Sequence, residues 1–94
     1  MKAELLYRYR EDLDEGAIIE VVVWRVPTPV PGSTHAFKYR LFYGFSGHRV
    51  IGYDNESEKG DHRHFEDREE SYMFTSPEQL FDDFLADVNA VRRK

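Results

Sequence analysis

Between Tyr53 and His64 the chain reads YDNESEKGDHRH, a run that brings two imidazoles, a guanidinium, an amide and several carboxylates close together. Cleaving a phosphodiester at neutral pH needs a base for the attacking hydroxyl, an acid for the leaving oxygen and a cation for the phosphorane charge. His62 and His64 offer the acid/base pair, Arg63 the cation, and Asp54 a carboxylate to orient an imidazole. If the segment is extended, the i, i+2 spacing puts both imidazoles on one side and Arg63 on the other; if it is a turn, all three fan outward. The competing reading is a solvated polar turn in which Asp61 and Asn55 bond the local backbone. The same histidines with Asp54 or Asp61, and His35 or His48 as a third, could be read as ligands for zinc or another divalent ion. An H-x-H pair without cysteines is weak ground for that, so neither a metal nor a cofactor is assigned.

The elements around this run are mostly strands. Residues 4–10, ELLYRYR, alternate so that Leu5, Tyr7 and Tyr9 point one way and Leu6, Arg8 and Arg10 the other. AIIEVVVW at 17–24 is dense in β-branched residues and reads as a central strand, with Trp24 as packing rather than a ligand platform. Three prolines and a glycine in VPTPVPGST exclude both ladder and helix over 26–34, which is an exposed loop. FKYRLFYGF at 37–45 alternates again, and Ser46-Gly47 closes a hairpin into HRVIGYD. Tyr72 to Phe74 is read as a short fifth strand. Ser76-Pro77-Glu78-Gln79 is a helix start with cap, N1 proline and capping-box glutamine, followed by an apolar stripe from Leu80 to Val91 and then Arg92, Arg93 and Lys94 at the negative end of the helix dipole. The fold class is therefore α+β: an antiparallel meander of four to five strands with a C-terminal α-helix packed on one sheet face, residues 1–94 forming a single domain.

Composition narrows the function classes. The 94 residues are 40% apolar and 15% aromatic, enough for one self-sufficient core. No cysteine is present, which removes disulfides, thiolate metal sites and a cysteine nucleophile and fits the cytoplasm. The first residues, MKAELLYRYRED, hold no apolar run long enough to suggest a secretion signal, and no segment approaches the roughly 20 apolar residues of a membrane span. A P-loop, a dinucleotide turn and a nucleophile elbow are also missing. The net charge of −5 argues against indiscriminate nucleic-acid binding, but residues 1–54 are neutral overall and the whole excess lies in 55–94. Arg8, Arg10, Lys38 and Arg40 stand at even positions of two strands and would share one sheet face if the register is kept. Such a face could hold an RNA backbone, with Tyr53 or Phe42 as a stacking platform and Asn55 and Lys59 as further contacts. The alternative is a solvent face whose cations neutralise Glu4, Glu11 and Glu20.

The sequence Tyr53-Asp54-Asn55, Lys59-Gly60-Asp61-His62-Arg63-His64, Tyr72-Met73-Phe74 and Ser76-Pro77-Glu78-Gln79-Leu80 with Asp83-Phe84 resembles the TumE family of small toxins from toxin-antitoxin modules, mainly over residues 37–91. The resemblance implies a helix-turn-helix antitoxin as partner and the motif histidines and arginine as the functional centre. The Pro-rich segment 26–34 and the acidic charge depart from that pattern.

Two expectations follow. One is a toxin-like, metal-independent ribonuclease in which His62 and His64 share acid/base roles, Arg63 stabilises phosphate charge and Asp54 orients a histidine. The other is a non-catalytic binding module that docks a protein partner or a nucleotide through the open sheet face and the HRH turn. An accessory protein whose motif only stabilises a turn is the blandest reading, and an exposed sheet edge leaves a homodimer open.

Overall fold

A computed structural model describes residues 2–56 and 59–93; Ser57 and Glu58 of the motif run and Lys94 at the helix end lie outside the described residues. Six strands follow one another in a single antiparallel meander: β1 (Glu4–Asp12), β2 (Ile18–Arg25), β3 (Phe37–Phe45), β4 (His48–Glu56), β5 (Gly60–Phe65) and β6 (Arg68–Ser71). One helix, α1 (Pro77–Arg92), lies on one face.

Period-two alternation decides what each face carries. Ile19, Val21 and Val23 of β2, Tyr39, Leu41 and Tyr43 of β3 and Ile51 and Tyr53 of β4 point toward the helix and are buried with Leu80, Phe84 and Val88. Removing each such side chain from water contributes about 1.5–3 kcal/mol, so this layer supplies most of the apolar driving force. α1 starts where its sequence dictates: the Ser76 hydroxyl accepts from the Gln79 N–H at 3.1 Å, with Pro77 at the first helical position.

The structure has six strands where the sequence suggested four to five. The motif run is not a turn: its second half is β5, which pairs with β4 on one side and β6 on the other. The fifth strand assigned to Tyr72–Phe74 is displaced; those residues are irregular, and the strand sits just upstream at β6. The β5–β6 hairpin turns at Glu66-Asp67, with Glu66 at φ 55°. A turn that places a non-glycine residue in the left-handed region carries no Asn-Gly or Asp-Gly signature to announce it. Alternation in β1 is also interrupted: a bulge between Leu5 and Tyr7 puts Leu5 opposite Trp24, away from Tyr7 and Tyr9.

Candidate functional site

Directly opposed residues of antiparallel strands share a face, and two such rows build the sheet face that α1 leaves uncovered. One row runs Arg8, Val22, Arg40, Asp54, His62, Ser71; the next runs Arg10, Glu20, Phe42, Gly52, His64, Glu69. His62 and His64 therefore stand side by side on the open face, as the extended alternative requires, with Asp54 across the ladder from His62.

Arg49, from the start of β4, completes the cluster. Its stem crosses Gly52 so closely that a Cβ there would lie 2.6 Å from the arginine Cδ, and its Nη2 stands 3.0 Å from His64 Nδ1. A guanidinium only donates, so Nδ1 accepts and the His64 proton sits on Nε2. That nitrogen faces Asp54 Oδ1 at 3.6 Å and Glu69 Oε2 at 4.0 Å. The same Glu69 oxygen is 3.4 Å from His62 Nδ1, within ion-pair reach but without hydrogen-bond alignment. Both ring nitrogens of His62 are covered and make no hydrogen bond among the described residues, although the side chain is 17% exposed. An imidazole in that condition is a polar group whose partners are still missing.

Arg63 does not belong to this cluster. Strand alternation turns it to the helix face, where its Nη2 donates to Asp87 Oδ2 at 2.7 Å and its guanidinium lies over the Tyr53 ring, 5.5 Å from the centroid. The expectation of a phosphate-binding Arg63 beside the two imidazoles is corrected by this geometry. Tyr53 and Asn55 share the correction: both are buried under that face, Asn55 donating to the Phe37 carbonyl at 2.7 Å and accepting from Tyr39 N–H at 3.0 Å, so neither is open to a ligand. Among the basic residues assigned to the open face, Arg8, Lys38 and Arg40 are exposed there, while Arg10 is shared between Asp12 at 3.5 Å and Glu20 at 3.7 Å. Lys59 is exposed at the rim of a separate cleft of about 320 Å³ beside Gly60 and Asp61.

Asp61 anchors the Pro-rich loop. Its carboxylate receives Ser33 Oγ, His35 Nε2 and the Tyr39 hydroxyl, each at 2.6 Å, and the His35 ring stacks on Phe74 at 3.9 Å. The Phe37 N–H donates to His35 Nδ1 at 3.2 Å, which leaves the imidazole proton on Nε2 to face Asp61. Serine and histidine both bind the carboxylate rather than each other, so the trio is a clasp and not a relay. Arg49, Glu69 and this clasp were missed in the sequence because their partners lie 5 to 28 residues away. A glycine inside a strand, Gly52, is the signal that could have marked a side chain laid across it.

Burial of their hydroxyls, and then hydrogen bonds to carboxylates, raise Tyr39, Tyr53 and Tyr72 well above the ordinary tyrosine range; the partners are Asp61, Asp87 and Asp83. A pKa raised by folding gives stability that is complete below the unfolded value, near 10, and is lost as pH climbs toward the folded value. In an absorbance titration these three of the six tyrosines should stay protonated until the chain unfolds, and stability should fall from about pH 10 upward. Six tyrosines ionising together near 10 in the folded chain would contradict this packing.

Among the described residues no cluster of three histidine or acidic side chains is arranged to hold a metal ion, and no helix is long and apolar enough to cross a membrane. The family described as toxin TumE matches residues 2–92, so the chain belongs to that family. Membership in a toxin family points to the toxin component of a toxin-antitoxin module and to an antitoxin as its partner. No curated protein and no solved structure matches the chain.

Proposed function

We propose that this member of the toxin TumE family is a cytoplasmic, metal-independent ribonuclease, and that its reaction takes place on the open sheet face around His62 and His64. The observation that carries the reading is the placement of two imidazoles on one face with a guanidinium on one of them and a carboxylate between them. An RNA strand would cross β1 to β5, its phosphates met by Arg8, Lys38 and Arg40. His62, whose nitrogens have no hydrogen-bond partner, would take the 2′-hydroxyl proton once RNA displaces its cover. As Arg49 turns from His64 Nδ1 to the phosphate, that nitrogen would take up a proton, and the resulting imidazolium would pass its Nε2 proton to the departing 5′-oxygen, held toward that task by Asp54. Arg49 would take the phosphate-stabilising role that spacing alone gave to Arg63. Atoms balance without water in this first step: the O–P bond to the 5′-oxygen breaks as the 2′-oxygen bonds to phosphorus.

Purified protein incubated with labelled RNA in EDTA should give fragments ending in a 2′,3′-cyclic phosphate. Intact RNA after hours, with or without added divalent ions, would reject the enzyme. A second reading, a non-catalytic face that binds a partner or nucleotide, is favoured by one specific fact: the His62 nitrogens are sealed from solvent. That reading predicts RNA or partner binding with no product. A helix-turn-helix antitoxin would be the protein partner in either case.

A further inference from the structure

The helix face of the sheet is only partly roofed. Six strands at about 4.8 Å spacing span about 24 Å, whereas a helix covers a strip about 10 Å wide. The uncovered strip lies along β1 and β2 beside α1. It holds two apolar hollows of about 440 and 350 Å³ that meet at the Tyr7–Phe81 contact, where ring centroids are 5.2 Å apart. Tyr9 and Leu85 flank the larger hollow, and Val21 floors it. Leu85 is 47% exposed and Tyr7 45%, and the helix residues that line the two hollows run from Pro77 to Leu85, the first half of α1.

The charges around this groove identify what it takes. Glu11 lines one wall, and Asp82 and Glu78 stand one turn before Leu85 and Phe81 on the same flank of α1. The cation lining the far hollow, Arg25, is already engaged by Glu4 at 3.8 Å. We infer that the β1/α1 groove is the docking site for an amphipathic helix of a protein partner, apolar on one face and lysine- or arginine-rich on its flanks. Such a helix would lie beside α1 at the usual 8–10 Å and complete the second layer of the fold. A second copy of this chain would set acidic rim against acidic rim, and an anionic membrane would be repelled in the same way. For a toxin the antitoxin is the natural donor of the helix.

The test uses the whole chain and two labelled 15-residue helical peptides with one leucine face, one carrying lysine flanks and its twin glutamate flanks. The lysine peptide should bind at least about tenfold more tightly by anisotropy, and Leu85→Asn should weaken it by about tenfold. Amide shifts should cluster on β1 and α1, and RNA cleavage by Leu85→Asn should be unchanged. Because an exposed leucine is replaced, the unfolding midpoint should stay put; Tyr7→Ser gives a second, independent variant. Equal binding of both peptides, shifts placed elsewhere, or self-association of the chain that Leu85→Asn dissolves would each overturn the assignment.

Discussion

Replacing either His62 or His64 by alanine is expected to lower RNA cleavage by about 10²- to 10⁴-fold, the usual contribution of a positioned general acid or base, and to abolish growth arrest on expression. The fold should barely notice. Among the described residues His62 makes no hydrogen bond that its loss could break, and the partner of His64, Arg49, is exposed and can turn to water. Unfolding midpoints of both variants should therefore remain near that of the parent. Retained toxicity in both would dispose of the proposed chemistry; lost toxicity with a collapsed midpoint would show that the pair serves the fold. Glu69→Gln, which keeps shape and removes the charge between the rings, should give a smaller loss.

The second large effect is on stability and lies on the opposite face. Asp87 accepts from the Tyr53 hydroxyl at 2.5 Å and from Arg63 at 2.7 Å, tying α1 to β4 and β5 through one carboxylate. Asp87→Ala removes a charge-assisted bond and strands a hydroxyl beneath the helix, so a loss of about 2–3 kcal/mol is expected in urea unfolding. The Asp87 side chain is 21% exposed and Arg63 34%, which keeps the figure below that of a fully buried pair. Arg63→Leu should weaken the same tie while leaving cleavage per folded molecule intact, whereas Arg49→Ala should do the reverse. A double-mutant cycle on Arg63 and Asp87 should show their coupling directly. An Arg63→Leu protein of unchanged stability but no activity would return Arg63 to the reaction and displace Arg49 from it.

These two experiments separate groups that stand next to each other in the chain. His62, Arg63 and His64 read as one motif, yet the extended backbone of β5 divides them between a sheet face open to ligands and one closed by a helix. The opposite happens with Arg49 and His64, 15 residues apart and joined at 3.0 Å. Asp83 and Asp87, one i, i+4 acidic pair of α1, likewise gain meaning only from what they meet, the hydroxyls of Tyr72 and Tyr53.

Much of the scaffold was legible in the residues. The alternation of FKYRLFYGF, the β-branched run of β2 and the Ser76-Pro77 helix start depend on local backbone preference and on a period of two or 3.6, which any reader of the chain can follow. The β5–β6 hairpin was not legible, because its turn uses Glu66 where a glycine or asparagine would have been the signal. The sequence also contained the two imidazoles, but their common side only as one of two alternatives, strand or turn, and the pairing of β5 with β4 decided it. Which guanidinium stands beside them, which carboxylate lies between them and which tyrosines are sealed under the helix were decided by register and by the one face α1 covers. Contacts between distant residues form only when strands align, and a one-residue slip would exchange the two faces entirely.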